Sequence, residues 1–397
     1  MRYLRSRRIP YVVPVAVLAV VGVVALVPAL SGASSPAGLP AQSAQQLVAG
    51  IVAAKPPQLS GALQWTVNLG FSGLSALEQE TGQGGGGGGG GSFDPLTLLS
   101  DDYQVNVWLD GTSAEHLALV DSPAQEVDLV RNGDQAWLWD SSTQTVTHFI
   151  WSKGRAQTPT SSGLPPIWVP PTPEQVAAGL LSDLGGTTAV TVGTPLYVAG
   201  EPAYRLLVTP KAASGSTVDH VEIDVGATGS LLGVPLQVAI YATGQSSPAL
   251  ELGFTGALHL GPPPASELTF TPPPGSKVIT RTLGDGLGGG VGARARAGVG
   301  SRAGGAAPAT AASDFDAHGF TTTGTGWATV VGGSAPGLVS SVGNGPVSAA
   351  TTVVQVAGQH ARLFSTALLN IVFMPDGRFY AGLVTPRVLE AAASAGS

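Results

Sequence analysis

One segment of this chain carries its clearest fold-class signal: Val127-Asp-Leu-Val-Arg-Asn-Gly-Asp-Gln-Ala-Trp-Leu-Trp-Asp140. Its two halves, Val127–Arg131 and Gln135–Asp140, are short and carry the branched and aromatic side chains that β-strands favour. Asn132-Gly133 lies between them and is the strongest short hairpin signal in the chain, because both residue types accept a positive φ. The stretch therefore predicts two antiparallel strands joined by a tight turn.

Similar short segments, separated by turn residues, lie on both sides of this hairpin. Leu63–Leu69, Tyr103–Leu109 and His116–Val120 precede it, and Thr145–Trp151 follows directly. Further candidate strands are Ala189–Val198, Ala203–Thr209, Val218–Val225, Leu236–Tyr241, Leu250–Leu260 and Leu268–Thr271. Strands that follow one another at a spacing of about ten residues are typical of antiparallel sandwiches and barrels.

Two segments have the apolar spacing of amphipathic helices instead. Ser43 is a suitable N-cap for a helix that ends near Ala54, before two prolines. Thr172 can cap a second helix that ends at Gly185-Gly186, with an apolar stripe formed by Val176, Leu180, Leu181 and Leu184. The order of elements predicts a mainly β protein: a large, curved antiparallel sheet with helices on one face.

The first residues predict a membrane segment. An uncharged apolar run from Ile9 to Leu30 is long enough to cross a hydrocarbon core. Four arginines precede it and favour a cytoplasmic start, with the bulk of the chain extracytoplasmic: Arg2, Arg5, Arg7 and Arg8. The length of the run favours a retained anchor, while the small residues Ser31-Gly32-Ala33 leave cleavage and secretion open.

Charge and cysteine content exclude several classes of protein. Charged residues are 11% of the chain, against roughly 25% in an ordinary soluble domain. Without the four N-terminal arginines, 14 basic residues face 25 acidic ones, so the extracytoplasmic part should repel nucleic acid. The chain has no cysteine, which excludes disulfides and a lipid-modified N-terminal cysteine.

Composition also predicts the boundaries of four segments. They are a basic stub with the membrane segment at 1–36, the main domain at 37–280, a Gly/Ala/Arg-rich linker without fixed structure at 281–313, and a small α+β unit at 314–397. Gly84–Gly91 predicts a flexible loop rather than a phosphate-binding loop, because no helix with Lys and Ser/Thr follows it. The glycines of 284–289 match a dinucleotide pattern only formally, since no βαβ unit surrounds them.

Catalytic and metal-binding motifs are absent from the sequence. There is no G-x-S-x-G motif, no cysteine nucleophile and no pair of histidines at a metal-binding spacing. His148, Asp140 and Ser141 could form a triad on paper, but residues of neighbouring strands often meet by chance. We therefore expect a non-enzymatic protein without cofactor or metal.

Apolar side chains are in excess on the predicted strands. Trp137 and Trp139 alternate with Ala136 and Leu138, so both faces of this strand are apolar and both need a cover. Either helices and aromatic residues fill the interior completely, or the sheet and helices enclose an apolar cavity for a lipid. The large strand residues that are candidates for the wall of such a groove are Trp65, Trp108, Trp137, Trp139, Phe149 and Tyr204.

The order of elements from Gln45 to Val278 resembles the LolA-like superfamily, which includes the lipoprotein carrier LolA and the amino-terminal domain of the regulator RseB (MucB). The resemblance rests on the amphipathic first helix, Val130–Asp140, the helix start Thr172-Pro173-Glu174-Gln175, Pro202–Leu206, and the closing Phe270–Gly275. The chain looks most like membrane-anchored actinobacterial members of this group.

This resemblance implies an unclosed half β-barrel capped by helices, with an apolar groove for acyl chains. It implies a membrane-tethered protein that binds or carries a lipid or lipoprotein. The alternative that it implies is an RseB-like envelope sensor or scaffold, in which residues 314–397 bind a regulatory partner protein.

Overall fold

The computed structural model describes residues 36, 38–70, 103–122, 125–151, 172–182, 187–211, 215–283, 320–336, 348 and 350–396. The predicted membrane segment and the Gly84–Gly91 loop lie outside these residues. Among the described helices, none is both long enough and apolar enough to cross a membrane.

The first sheet contains 13 described strands and does not close on itself. Their order is β13-β6-β5-β4-β3-β2-β1-β12-β11-β10-β9-β7, and β8 pairs with β9 beside β7. The bounds are β1 Gln58–Val67, β2 Tyr103–Asp110, β3 Ala114–Ser122, β4 Gln125–Asn132, β5 Gln135–Asp140, β6 Thr145–Trp151, β7 Thr188–Val192, β8 Leu196–Val198, β9 Glu201–Pro210, β10 Val218–Gly226, β11 Pro235–Ala242, β12 Leu250–Leu260 and β13 Lys277–Leu283. Neighbours are antiparallel except β13 and β6, which are parallel.

The β4–β5 hairpin turns one residue later than the sequence predicts. Asn132 pairs with Gln135, so Gly133 and Asp134 form the loop, and Gly133 has φ +60°. A glycine with positive φ at the first loop position is the preference of a type II′ turn, which suits the right-handed twist of the two strands.

Side-chain alternation gives the first sheet two different faces. We call the face covered by helices the helix face; across β1, β2 and β12 it carries Leu63, Val105 and Phe254, which are opposite one another. We call the other side the outer face; Gln64 and Gln104, which pair across β1 and β2, lie on it. Because the side-chain period of a strand is two, every strand contributes to both faces.

Two helices pack on the helix face over β9–β12. Helix α1, Ala44–Ala53, buries Leu47 and Ile51, and helix α2, Pro173–Ser182, buries Ala177 and Leu181. Both begin with a capping box: Ser43 Oγ accepts from Gln46 N at 3.2 Å, and Thr172 Oγ1 accepts from Gln175 N at 3.4 Å. These caps satisfy backbone donors at the helix starts, which explains why the predicted helices begin where they do.

The first sheet is strongly curved around its helix face. Buried side chains of β2–β6, such as Val107 and Phe149, belong to one core cluster with Val198, Leu231 and Leu236 from the region of β8–β11. Residues so far apart in the strand order can share a core only if the sheet bends toward itself. This curvature of an unclosed sheet is consistent with a half-barrel.

The second sheet is smaller and also unclosed. Its order is β14-β15-β19-β18-β17-β16, and helix α3, Pro386–Ala395, packs on it through the buried Leu389 and Ala393. The bounds are β14 Thr321–Thr323, β15 Val330–Ser334, β16 Thr351–Val356, β17 Gln359–Ser365, β18 Asn370–Phe373 and β19 Arg378–Gly382.

The second sheet is docked on the first by hydrogen bonds and apolar contacts. Ala367 N donates to Leu69 O at 2.8 Å, and Trp327 Nε1 donates to Thr188 Oγ1 at 2.9 Å. Leu368 is 1% exposed and belongs to the core cluster under α1 and α2. The two sheets therefore share a part of one core.

The mainly β fold, the unclosed sheets and the helices on one face are confirmed. The strand predicted at Leu268–Thr271 is wrong: this segment is turn and irregular structure, and the prolines at 262–264 and 272–274 lack the amide donors of a strand ladder. The predicted Ala189–Val198 strand is two strands, interrupted before Pro195. Strand β13 was not predicted. The division of the chain into four segments stays a prediction.

Candidate functional site

The six aromatic residues predicted for a groove lie on two different faces. Trp65, Phe149 and Tyr204 lie on the helix face, within its two buried clusters. By strand register, the outer face carries the other three, which are Trp108, Trp137 and Trp139. The structure therefore does not bring the six side chains together around one groove, and their role in binding stays a prediction.

Two of the three outer-face tryptophans stack on histidines. Trp108 stacks on His116 with ring centres 4.6 Å apart, and Trp137 stacks on His148 at 4.7 Å. Phe270, from the irregular segment after β12, lies 6.4 Å from Trp137. Stacked pairs of this kind stabilise the outer face and leave less ring surface for a ligand.

Tyr204 has a tethering contact on the helix face. It is 3% exposed, and its hydroxyl donates to the carbonyl oxygen of Pro40 at 2.7 Å. This bond fixes the chain before α1 to strand β9, so Tyr204 holds the entry of the main domain in place. Phe149 is 1% exposed and fully enclosed by the core.

A small apolar cavity lies on the helix face, beside Trp65. Its volume is about 20 Å³, and its wall is formed by residues of β1, β11, β12 and α2: Trp65, Thr66, Val67, Val176, Val238, Ile240, Leu250, Glu251 and Leu252. Space of this size admits about one water molecule. It is far smaller than the roughly 300–1,000 Å³ of a typical small-molecule pocket.

The polar atoms at this cavity are few. Thr66 and Glu251 pair with each other and alternate with the inward residues, so their side chains belong to the outer face and their backbone forms the wall. The indole N–H of Trp65 is buried and has no hydrogen-bond partner among the residues that the structure describes. Sequence reasoning found Trp65 but not the rest of the wall, because the pairing of β1 with β12 joins residues almost 190 positions apart.

The helix face becomes polar near the start of α2. Arg131 Nε donates to Glu115 Oε1 at 2.9 Å. Burial raises the pKa of Glu174 in the first turn of α2, and the charge of Glu115 raises it further. The apolar wall around Trp65 is therefore followed by charged side chains near the first turn of α2.

An ion-pair cluster lies on the outer face of β9–β12. Arg205 Nε and Nη2 donate to the two carboxylate oxygens of Asp224, both at 2.7 Å, and Nη1 lies 2.8 Å from Glu222 Oε2. Asp224 is 1% exposed, and burial raises its pKa while the Arg205 guanidinium lowers it. The two-pronged geometry makes Arg205 the tie between β9 and β10.

Two more groups of this cluster have shifted pKa values. Burial raises the pKa of Tyr241 to about 12, and the neighbouring Glu222 contributes to this rise. Burial also raises the pKa of Glu251, with further contributions from Asp224 and Glu222. Within the described part of the chain, no group of three or more potential ligands is arranged to hold a metal ion.

The triad drawn on paper is not assembled. His148 Nε2 lies 2.9 Å from Gln135 Oε1, whereas Asp140 Oδ1 accepts from the backbone of Ser142 at 2.9 Å. Asp140 pairs with Thr145, so it lies on the opposite face of the sheet from His148. These residues cannot act together in catalysis.

Comparisons with known proteins were made at the level of sequence and of structure. No family model and no curated protein sequence matches the chain. The complex of MucA and MucB from Pseudomonas aeruginosa is similar in structure, with 15% identity and a TM-score of 0.41; the match covers 88% of this chain and 96% of that one.

Two further solved structures are similar over a smaller part of this chain. A LolA superfamily protein from Nitrosomonas europaea has 12% identity and a TM-score of 0.21, covering 58% of this chain and 99% of its own. A putative outer membrane lipoprotein-sorting protein domain from Vibrio parahaemolyticus has 9% identity and a TM-score of 0.19, covering 51% and 85%.

The structural neighbours of this chain include LolA superfamily proteins and MucB. That is the resemblance predicted from the order of sequence elements, while an actinobacterial type finds no support among these neighbours. Identities under 25% and TM-scores under 0.5 assign no function to this chain.

Proposed function

We propose that this protein is a non-enzymatic binding protein for an acyl chain of a lipid or lipoprotein. The acyl chain binds on the helix face of the first sheet. The observation that carries the proposal is the apolar cavity between α2 and strands β1, β11 and β12. Seven aliphatic or aromatic side chains converge there, and no charged side chain points into it. Hydrocarbon is the ligand chemistry that such a wall favours.

The size of the cavity sets a condition on binding. About 20 Å³ cannot hold an acyl chain, so the ligand must displace part of the wall. Among the described residues of the wall, Val176 is the only one contributed by a helix, and α2 covers the cavity through it. We propose that α2 moves away from the sheet when an acyl chain enters, and that bound hydrocarbon then replaces the contacts of Val176.

Lipid analysis of protein purified from its native membrane tests this function. We expect the intact chain to carry extractable acyl lipid, and the Val176→Glu variant to lose it, because a carboxylate in the apolar wall is costly to bury. Ala178→Glu is the matched control, since Ala178 is exposed on the same helix. Absence of lipid from the intact protein, together with no binding of a fluorescent fatty-acid probe, would contradict the proposal.

We also propose that residues 9–30 tether the protein to a membrane with its body outside the cytoplasm. The support is the sequence pattern of four arginines followed by an uncharged run. Alkaline carbonate extraction of membranes should leave the full chain in the pellet, and protease added to intact spheroplasts should digest it. Release into the soluble fraction would show cleavage instead.

A regulatory or scaffold role is the second candidate, favoured by the docking of the second sheet. Leu368 and Trp327, which belong to the segment that forms the second sheet, pack against the core cluster under α1 and α2. A ligand bound there would therefore change the packing of both sheets. Crosslinking in native membranes should then join residues 320–396 to an envelope protein, and the crosslink should survive removal of lipid. Crosslinks that disappear with the lipid would favour carriage alone.

A further inference from the structure

The indole N–H of Trp65 is an anomaly in the wall of the cavity. Trp65 is 6% exposed, and its Nε1 atom is buried without a hydrogen-bond partner in the described part of the chain. A buried donor that has lost water and found no acceptor costs free energy, so native structures rarely keep one without a reason. Trp65 therefore has an unpaired donor beside the apolar cavity.

Two of the other residues with unpaired buried polar atoms, His116 and Asp128, have different surroundings. His116 and Asp128 lie next to each other on the outer face, with Nε2 and Oδ1 3.6 Å apart, so each offers the other an opposite partial charge. Trp65, in contrast, lines the apolar cavity together with Val67, Val238 and other aliphatic side chains. Its cross-strand partner on the helix face is Tyr103, and no hydrogen bond joins Tyr103 to the indole N–H.

A water molecule is a poor partner for this donor. A buried water usually makes two to four hydrogen bonds. At this cavity the neighbouring side chains Thr66 and Glu251 belong to the outer face, and the strand carbonyls are engaged in the ladder between β1 and β12. A water molecule here would make one hydrogen bond, to Trp65, and would lack partners for the others.

We propose that Trp65 is the hydrogen-bond donor for the carbonyl oxygen of the bound acyl compound. This inference rests on the proposed function and deepens it, because it names which hydrocarbon ligands the site selects: those with a carbonyl oxygen at one end, as an ester or an acid, rather than plain hydrocarbons. The hydrocarbon chain occupies the space that opens under α2, and the same opening exposes Nε1, which is fully buried in the closed structure.

Three ligands of equal chain length test the inference: methyl laurate, lauric acid and dodecane. Their binding to the full chain is measured by displacement of the uncharged fluorescent probe N-phenyl-1-naphthylamine. We expect the wild-type protein to prefer the two carbonyl ligands. Trp65→Phe should lower the affinity for methyl laurate by about threefold to tenfold, the usual value of one hydrogen bond, and should leave the affinity for dodecane unchanged.

Trp108→Phe is the matched control, because Trp108 lies on the outer face and should change none of the three affinities. Lauric acid distinguishes the two sources of the carbonyl. If Trp65→Phe loses affinity for methyl laurate alone, the site binds esters. If it loses affinity for both ligands equally, the site binds any acyl carbonyl. Equal weakening of dodecane and methyl laurate would overturn the role of Trp65 while leaving lipid binding intact. No displacement by any ligand would overturn the proposed function itself.

The indole N–H resonance of Trp65 gives a second readout, which is measured on the wild-type protein with ligand bound. In a ¹⁵N-labelled sample of wild-type protein, methyl laurate should move this resonance downfield, and dodecane should not. An unchanged resonance under saturating methyl laurate would also overturn the inference, even if Trp65→Phe fails to fold.

Discussion

Glu251 has an unfavourable position for a charged carboxylate. It lies on the outer face, accepts from Gln237 Nε2 at 2.8 Å, and has a pKa raised by burial and by Asp224 and Glu222. A carboxyl group whose folded-state pKa is raised stabilises the fold below its unfolded pKa, and this stability is lost as pH rises through the folded pKa. We expect Glu251→Gln to avoid that loss, so the variant should be more stable than the wild type at neutral pH.

Urea unfolding at two pH values checks this prediction. The midpoint of Glu251→Gln should exceed that of the wild type at about pH 7 and equal it at about pH 3.5, where both side chains are neutral. Asp376→Asn is a control of opposite sign, because hydrogen bonding to Arg378 lowers the pKa of Asp376. Its small loss should be present at neutral pH and should shrink as pH falls through the lowered folded-state pKa of Asp376. A difference that does not depend on pH would contradict the electrostatic account of Glu251.

Ala357 occupies a backbone conformation that suits asparagine better. With Gly358 it forms the loop between β16 and β17, and the two residues have φ values of 49° and 78°. Two positive φ values define a type I′ turn, for which Asn-Gly is the preferred pair. We expect Ala357→Asn to stabilise the protein by about 0.5–1 kcal/mol, measured as a rise in thermal midpoint. Ala265→Asn, at an exposed turn residue without positive φ, should give no rise.

At the residue scale, the sequence predicted what depends on close neighbours. Ser43 and Thr172 were identified as helix caps, and both accept backbone hydrogen bonds three residues ahead. The buried partner of Arg205 could not be predicted, because Asp224 becomes its neighbour only when β9 pairs with β10. Likewise, the face of each groove candidate depends on register, which separates Trp65 from Trp137.

At the scale of elements, the contact between α1 and the β10–β11 connection depends on two glycines. Gly233 has φ +83°, and a Cβ atom there would lie 2.6 Å from Gly50 O. Gly233→Ala should therefore destabilise the fold by both backbone strain and a clash, several kcal/mol in total. Gly244 has the same φ but no atom within 4 Å of such a Cβ, so Gly244→Ala measures the backbone cost alone.

The other member of this contact should respond in the opposite direction. A Cβ atom on Gly50 would lie 3.9 Å from Gly233, an ordinary contact, and Gly50 is inside α1. Gly50→Ala should stabilise the protein by about 0.5–1 kcal/mol through helix propensity. Denaturant unfolding of the three variants checks the set. Equal effects of Gly233→Ala and Gly244→Ala would show that α1 does not press on this connection.

Strand β13 shows which elements sequence patterns cannot find. The polar residues of Lys277–Leu283 do not alternate with the apolar ones, because Thr280, Arg281 and Thr282 are consecutive. Its partner β6 lies about 130 residues earlier, in parallel orientation. The β4–β5 hairpin was found because its strands, turn and partner are adjacent. Predictability thus followed contact distance along the chain, as expected when local signals are all that a single sequence shows.

At the scale of the whole molecule, the shared core makes the two sheets one cooperative unit. Leu368 comes from the connection between β17 and β18 but is buried with Leu69 and Val218 of the first unit. Leu368 lies in a long apolar stretch, Arg362–Met374, and nothing in that stretch predicts that Leu368 packs in the core of the first sheet. We expect wild-type protein to unfold in a single transition, because separating the sheets would expose this cluster.

Leu368→Ala should break this coupling. Truncation of a buried leucine costs about 2–5 kcal/mol, and here the loss falls on the contact between the sheets, so the unfolding profile should divide into two transitions. Leu363→Ala is the control: Leu363 is buried in the core of the second sheet alone, and its loss should lower stability without dividing the profile. Calorimetry of the three proteins distinguishes the cases. Two transitions in the wild type would mean that the sheets are stable separately, and a change at the lipid site would then not be transmitted through Leu368.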